Sequence, residues 1–275
     1  MLKRTISGVV LILVMIGLMG AGGWIMLAGL LAMSLVGLYE FYHALKEGGH
    51  SPFWILGMAA ALIYYAVLYL CPDYAFSGGF FLFFAAIFFM VMMIVSVFSY
   101  PRHRIEDVAL TFIGVLYVPV LFSFLYFLRM QEDGVYYVWY AFMASWGCDT
   151  CAYLAGRAFG RHKMAPELSP KKTVEGAVGG VLGAILLSVV YTACIASHVE
   201  ESAVTLYVMS VCVGLFGGCL GQIGDLFASA VKRVVGIKDY GKLIPGHGGI
   251  LDRYDSTLLV APIVTIVIYI ILQLS

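Results

Sequence analysis

The sequence has little charge. Only 12% of its 275 residues are Asp, Glu, Lys or Arg, whereas 62% are hydrophobic and the mean hydropathy is +0.97. Soluble domains usually carry about 25% charged residues. The composition therefore excludes an ordinary soluble domain and indicates a polytopic membrane protein. The formal net charge is zero, so bulk charge predicts no nucleic-acid partner.

Spaced cysteines and known nucleotide motifs are also missing. The six cysteines are scattered through apolar segments, so we expect no disulfides. Cys148 and Cys151 form a Cys-x-x-Cys pair, but a zinc site needs four ligands and no second pair follows. We interpret the pair as small residues that pack between helices. Neither GxxxxGK[ST] nor GxGxxG occurs, so a nucleotide site here would be unrelated to either nucleotide-binding fold.

Long apolar runs fill most of the chain. A helix of about 20 residues crosses the hydrocarbon core of a bilayer, and we predict an all-α protein with about nine transmembrane helices. The first run is interpreted as an uncleaved span rather than a signal peptide, because another apolar run follows almost at once. The predicted spans are 5–20, 23–41, 53–71, 78–99, 108–129, 135–158, 174–197, 203–231 and 250–273.

The basic residues fall on one side of this arrangement, and the other side receives Arg129 alone. Cytoplasmic loops carry an excess of Lys and Arg. We therefore predict an integral protein of the cell inner (cytoplasmic) membrane with its N-terminus and active site facing the cytoplasm and Ser275 outside. The residues on the basic side are Lys3, Arg4, Lys46, Arg102, Arg104, Arg157, Arg161, Lys163, Lys171, Lys172, Lys232, Arg233, Lys238, Lys242 and Arg253.

The chain divides into two predicted regions. Residues 1–134 have plain loops and aromatic-rich helices, which we interpret as scaffold, lipid contact or the interface of a homodimer. Glu40 and His43, near the end of a helix, are interpreted as a solvated cap. Residues 135–275 hold nearly all the polar groups, in two basic cytoplasmic loops that we expect to cover one catalytic site.

Helical spacing places polar groups on single faces of two spans. If 221–233 is helical, one face carries Asp225, Ser229, Lys232 and Arg233. Asp149 and Arg157 repeat this spacing in the sixth span. We therefore expect each helix to offer a buried aspartate with a basic group about two turns nearer the cytoplasm.

These groups favour phosphate chemistry with a metal ion. Asp252 and Asp255 open the last span, where the helix dipole favours carboxylates. Mg²⁺ binds through one or two carboxylates together with substrate phosphates. Lysines and arginines neutralise phosphate, and a Gly-Gly pair before a helix lets backbone N–H groups approach an anion.

The segment from Ser229 to Asp255 carries a spaced signature over about 27 positions. It resembles the signature of the phosphatidate cytidylyltransferases, and Asp149 to Gly176 also resembles a segment of that family. The signature residues are Ser229, Lys232, Arg233, Lys238, Asp239, Gly241, Ile244, Pro245, His247, Gly248, Gly249, Asp252, Arg253 and Asp255.

The resemblance implies that CTP and phosphatidic acid react to give CDP-diacylglycerol and pyrophosphate, with Mg²⁺ required. Asp225 and Asp252 would hold the metal, and Asp255 would support it. The catalytic set would be Asp225, Asp252, Asp255, Lys232 and Arg233. The substrate-binding set would be Lys171, Lys172, Ser229, Lys238, Lys242, His247, Gly248, Gly249, Arg253 and Asp149.

Other readings stay open at this point. Aspartates within helices also occur in ion-coupled transporters, although the charges here lie in same-side loops rather than at the bilayer midplane. A non-catalytic membrane assembly factor is a third reading. The D-G-x2-A-R pattern of CDP-alcohol phosphatidyltransferases is not found. The residues also leave open whether a monovalent cation joins Mg²⁺.

Overall fold

The computed structural model describes residues 2–76, 79–246 and 248–274. Within this part of the chain, helices dominate, with two π-helical turns (Leu116–Val120 and Met143–Gly147) and one pair of short strands. The elements are α1 (Leu2–Ala21), α2 (Gly23–Glu47), α3 (Trp54–Leu70), α4 (Pro72–Phe76), α5 (Gly79–Ser99), α6 (Ile105–Val115), α7 (Leu121–Arg129), α8 (Gly134–Phe142), α9 (Cys148–Phe159), β1 (Lys163–Ala165), β2 (Ser169–Thr173), α10 (Val174–Ile195), α11 (Ala203–Val234) and α12 (Leu251–Leu274).

Each predicted span coincides with a helical segment. Six helices are long and apolar enough to cross a membrane in the part described, and two apolar helices, Ser7–Ala21 and Trp54–Leu70, are shorter. The predicted span 135–158 corresponds to α8, a π turn and α9 in succession. The helical membrane architecture is confirmed, whereas the number of nine spans and the sidedness of the loops stay predictions.

One compact unit consists of Met1–Ser123 together with Val234–Arg253. Tyr42 of α2 organises its helices, since its hydroxyl donates a 2.7 Å hydrogen bond to the carbonyl oxygen of Thr111 on α6. Glycines make room for this ring, because a Cβ atom at Gly57 or Gly114 would collide with it. The helices α2, α3 and α6 therefore pack closely around one buried tyrosine.

The segment 234–253 belongs to this unit because it packs on the C-terminal end of α2. Buried Val235 lies against Gly48, where a Cβ would come within 2.7 Å of the valine side chain. The ring of Tyr240 lies 6.4 Å from that of Phe41, centroid to centroid. A loop from the C-terminal part of the sequence thus shares a core with an N-terminal helix.

The second unit consists of Phe124–Arg233 and Tyr254–Ser275. Small residues bring α10 close to α9, as at Gly183, which lies against Cys151. Cys148 is buried, and its sulfur lies 3.6 Å from the Gly218 carbonyl oxygen and from the Gln222 amide. In the structure, both cysteines of the Cys-x-x-Cys pair pack against neighbouring helices.

A short β-hairpin leads into α10 and was not predicted. Strands β1 and β2 pair antiparallel, with Lys163 opposite Thr173. The Thr173 hydroxyl then accepts a 3.1 Å hydrogen bond from the Gly176 N–H and so caps α10. Glu175 accepts hydrogen bonds from the backbone N–H groups of Arg161 and His162, which ties the hairpin to the end of α9.

Candidate functional site

Asp225 on α11 forms an ion pair with the hairpin. The Lys172 Nζ atom lies 2.6 Å from Asp225 Oδ2, and both side chains are about one quarter exposed. Ser229, one turn along α11, donates a 3.4 Å hydrogen bond to Asp225 Oδ1. The predicted helical face with Asp225 and Ser229 is therefore confirmed, and Lys172 adds a charge from a different element.

Two further aspartates lie near Asp225 in the same unit. The Ser256 hydroxyl on α12 donates a 3.1 Å hydrogen bond to Asp149 Oδ2 on α9. Asp255 accepts a hydrogen bond from the Ser256 N–H and lies within electrostatic range of Asp225, Asp149 and Lys232. Three carboxylates from three helices thus gather with at least two lysines.

Burial differs from the prediction for two of these carboxylates. Asp149 and Asp225 were expected to be buried, but both are partly exposed, whereas Asp255 is buried. The partial exposure of Asp225 agrees with its position beside the polar hairpin, where it contacts Lys172.

The remaining cations of this unit differ in their surroundings. Successive side chains of a strand point to opposite faces, so Lys172 on β2 can meet Asp225 while its neighbour Lys171 is exposed. The Nε of Arg233 donates a 3.4 Å hydrogen bond to the Leu168 carbonyl oxygen in the turn of the hairpin. Lys172 is therefore the better placed of the two predicted lysines to act with Asp225.

In the other unit, Asp252 fixes the backbone of the glycine-rich loop that contains Gly248 and Gly249. Its Oδ2 atom accepts hydrogen bonds from the N–H groups of Tyr240 (2.8 Å) and Gly249 (3.0 Å). Gly248 has φ +86° and lies so close that a Cβ would stand 2.8 Å from the same oxygen. Only glycine adopts this conformation at low cost. Gly248 therefore serves close packing on the Asp252 carboxylate, and Gly249 donates its N–H to the same oxygen.

A polar cavity of about 320 Å³ opens within this loop. Ligand pockets generally range from about 300 to 1,000 Å³. Three cations and one carboxylate line it, so the cavity favours an anion. The lining residues are Lys238, Asp239, Gly241, Lys242, Ile244, Gly246, Gly248 and Arg253.

The predicted site residues thus fall into two groups. Lys238, Lys242, Gly248, Gly249, Asp252 and Arg253 lie in the first unit, and Asp149, Lys171, Lys172, Asp225, Ser229, Lys232, Arg233 and Asp255 lie in the second. His247 lies outside the described residues. Binding of one metal ion by Asp225 and Asp252 together stays a prediction.

Sequence reasoning missed the role of Glu40. Its carboxylate is buried, with 5% of the residue exposed, and accepts hydrogen bonds from the N–H groups of Ile250 (3.1 Å) and Leu251 (2.9 Å). The interpretation of Glu40 as a solvated cap is therefore wrong, although His43 is half exposed and lies 3.4 Å from Glu47, as a surface pair would. An acidic residue within a membrane helix is itself a signal of a functional role. This signal could have identified Glu40 from the sequence.

The donor atoms suit a hard cation. Among the described residues, no group of three or more His, Cys, Asp or Glu side chains is arranged to hold a metal ion. Mg²⁺ typically takes one or two carboxylates and completes its shell with water and substrate phosphates. The carboxylates of Asp225, Asp149 and Asp255 supply the kind of oxygen ligand that Mg²⁺ prefers, whereas binding of the ion stays a prediction.

Comparisons with known proteins match nearly the whole chain. A sequence model of the Cytidylyltransferase family matches residues 2–271. A phosphatidate cytidylyltransferase of Staphylococcus epidermidis is 32% identical over 267 residues, covering 96% of this chain and 98% of the relative. Proteins of the same name from Staphylococcus haemolyticus and Staphylococcus aureus are 36% and 35% identical over 178 residues, which is 65% of each chain.

Proposed function

Because this chain belongs to the cytidylyltransferase family, and within it to the phosphatidate cytidylyltransferases, we propose that it transfers the cytidylyl group of CTP to phosphatidic acid. The products are CDP-diacylglycerol, for phospholipid biosynthesis, and pyrophosphate. The protein is an enzyme, so the readings as a transporter or as a non-catalytic assembly factor are set aside. The observation that carries the proposal is the cation-lined cavity of Lys238, Lys242 and Arg253, whose charge suits the triphosphate of CTP.

The reaction forms one bond and breaks one at the α-phosphorus of CTP. A phosphate oxygen of phosphatidic acid attacks that phosphorus, and the bond to the bridging oxygen of the β-phosphate breaks, so that the electron pair leaves with pyrophosphate. Near neutral pH, the phosphate monoester is largely dianionic and already nucleophilic, so no general base is needed. Positioning and charge stabilisation are the main tasks of a protein in such transfers.

The chain's own cations perform these tasks in our proposal. Lys238, Lys242 and Arg253 bind the triphosphate, and Lys232 and Arg233 stabilise the departing pyrophosphate. The loop glycines Gly248 and Gly249, with His247 between Gly246 and Gly248, belong to the same anion site. Lys171 and Lys172 bind the phosphatidate headgroup or the outer phosphates of CTP.

Mg²⁺ is part of the proposal, with Asp225 and Asp252 as its ligands and Asp255 and Asp149 in support. When bound, the ion neutralises charge on the nucleotide phosphates. Support comes from the donor set, which consists of carboxylates, the oxygen ligands that Mg²⁺ prefers. A second, monovalent cation at this site is a further proposal.

The reaction takes place at the inner leaflet of the cell membrane in our proposal. The protein is an integral membrane protein, as its apolar helices require. Positive charge in the loops favours a cytoplasmic active site. Acyl chains then stay in the leaflet while the headgroup enters from the side, and a homodimer is compatible with the long exposed face of α5.

A nucleotide-competition assay tests the proposal. Purified protein in detergent micelles receives radiolabelled CTP, phosphatidic acid and Mg²⁺, and we expect equal amounts of CDP-diacylglycerol and pyrophosphate. Unlabelled CTP should compete, whereas ATP and GTP should compete poorly. Absence of labelled lipid from a folded preparation, or equal use of ATP, would contradict the proposed function.

A further inference from the structure

Glu40 links the glycine-rich loop to a helix far away in sequence. Glu40 lies on α2 and accepts hydrogen bonds from the N–H groups of Ile250 and Leu251, which lie 210 and 211 positions later in the sequence. These N–H groups belong to the start of α12, where the first turn has donors without partners inside the helix. A carboxylate there satisfies the donors and interacts favourably with the helix dipole.

The loop is shaped to accept this carboxylate. A Cβ atom at Gly241 or at Gly249 would collide with the Glu40 carboxylate oxygens, and the two glycines also lie close to each other. Next to Glu40, the ring of Phe41 contacts that of Tyr240, whose N–H donates to Asp252. The two ends of the loop therefore meet at Glu40.

The held loop is the one that lines the cavity. Five of the residues that line the cavity lie in the stretch that begins at Gly241 and ends before Gly249, the two glycines next to Glu40. They are Gly241, Lys242, Ile244, Gly246 and Gly248. The loop is closed by a 2.8 Å hydrogen bond from the Ile244 N–H to the Gly248 carbonyl oxygen. Fixing its ends therefore fixes the position of the lining cation Lys242 relative to Lys238 and Arg253.

We propose that Glu40 is a positioning residue that, from helix α2, sets the shape of the anion-binding loop over its described residues 241–246 and 248–251. In this proposal its carboxylate acts through the backbone N–H groups of Ile250 and Leu251 rather than on the substrate itself. The identification of the bound anion as the triphosphate of CTP rests on the proposed function. The holding of the loop rests on the hydrogen bonds alone.

The test compares Glu40→Gln and Glu40→Ala with wild type in the full-length purified protein. Glu47→Gln is the matched control, since Glu47 is on the same helix but half exposed and paired only at the surface. Hydrogen exchange of peptides that contain Ile250 and Leu251 reports on the loop. Inhibition of turnover by inorganic tripolyphosphate, and its binding measured by calorimetry, report on the cavity. The Michaelis constants of CTP and phosphatidic acid separate the two substrates.

We expect faster exchange at Ile250 and Leu251 in both Glu40 variants and weaker tripolyphosphate binding, on the order of tenfold, because small misplacements of a binding group have large effects. KM for CTP should rise while KM for phosphatidic acid stays within about twofold. The Glu47→Gln variant should match wild type. If Glu40→Ala does not fold, Glu40→Gln, which keeps the side-chain volume, carries the comparison.

Wild-type exchange and tripolyphosphate affinity in a folded Glu40→Gln variant would overturn the proposal. So would an equal rise of both Michaelis constants together with a general loss of stability, because that result indicates a merely structural role. If wild-type protein bound tripolyphosphate but did not use CTP, the proposed function would fail, whereas the response of the Glu40 variants would still support the role of Glu40.

Discussion

At the scale of single residues, the ion pair of Lys172 and Asp225 joins the hairpin to α11. The 2.6 Å separation and partial burial make the two side chains mutually dependent. In the proposed reaction, Asp225 binds Mg²⁺ and Lys172 binds a phosphate. Each charge therefore has a partner both with and without substrate.

The pair predicts non-additive kinetics. We expect Asp225→Asn to lower kcat/KM by about 100-fold or more, as for removal of a group that stabilises transition-state charge. Lys172→Met should be less harmful, and the double variant should be little worse than Asp225→Asn alone, since groups that act as a unit are not additive. Steady-state rates of the four proteins give the coupling. Asp73→Asn, an exposed aspartate in α4, is the control and should retain wild-type rates; fully additive losses would argue against a coupled pair.

Gly249 offers a second prediction at this scale. In Gly249→Ala, the new methyl group would collide with the Glu40 carboxylate, so we expect KM for CTP to rise about tenfold, equivalent to about 1.4 kcal/mol. Removing the carboxylate makes space for the methyl group. Gly249→Ala should therefore do less additional harm in a Glu40→Ala background than in wild type.

Measurement of KM for CTP in the two single variants and the double variant tests this interaction. Gly20→Ala is the control, because nothing lies within 4 Å of a Cβ at that position. Equal effects of Gly249→Ala in both backgrounds would show that the glycine is needed for another reason.

These residues also mark what sequence can predict. The common face of Asp225 and Ser229 was predictable because both belong to one helix with a fixed period of 3.6 residues. The contact of Glu40 with Ile250 and Leu251 was not, because it joins distant segments through the packing of the chain. The pairing of Lys172 with Asp225 was missed for the same reason, although both were predicted as site residues.

At the scale of elements, the packing of α10 on α9 depends on glycine. A Cβ at Gly180 would lie 2.8 Å from the Ala152 Cβ and 3.0 Å from the Cys148 carbonyl oxygen. Close contact of this kind is typical of membrane helices, where small residues allow backbones to approach. The pair in turn carries Asp149 at one end and the hairpin at the other.

Gly180→Val should therefore destabilise the protein by about 1–3 kcal/mol, the usual effect of overpacking. The change in stability is measured by thermal unfolding in detergent, with the loss of monodisperse protein as the readout. Gly17→Val on α1 is the matched control, since it adds the same side chain where nothing lies within 4 Å. Equal stability of the two variants would mean that the contact between α9 and α10 accommodates the larger side chain without loss.

Elements differed in how well the sequence predicted them. The apolar helices were predicted with boundaries close to those observed, because a run of about twenty apolar residues is typical of a membrane-spanning helix. Helix α2, predicted over 23–41, continues to Glu47 because a helix does not end where it leaves the apolar layer. The hairpin Lys163–Thr173 was interpreted as an irregular loop, since two strands of three and five residues show too little alternation to be recognised.

At the scale of the whole molecule, the distribution of positive charge predicts the orientation. All Lys and Arg residues except Arg129 fall on one side if there are nine spans. One helix more or fewer would scatter these cations over both sides. Of the nine predicted spans, the first has the weakest support, since its apolar part, Ser7–Ala21, is shorter than the length that usually crosses a bilayer.

Fusions to reporter proteins in a bacterial host distinguish an odd from an even number of spans. Alkaline phosphatase is active only outside the cytoplasm, whereas green fluorescent protein fluoresces when it remains inside. With nine spans and a cytoplasmic N-terminus, a phosphatase fused after Leu274 or Asp73 should be active, and a fluorescent protein fused after Gly48 should fluoresce. A fluorescent fusion after Leu274, with the Gly48 and Asp73 fusions as expected, would leave an even number of crossings. Because the Gly48 and Asp73 fusions together confirm that α3 crosses, the error would lie between α4 and α12. In that part of the chain, α8 and α9 are short, are separated by a π turn and are not among the six helices long and apolar enough to cross.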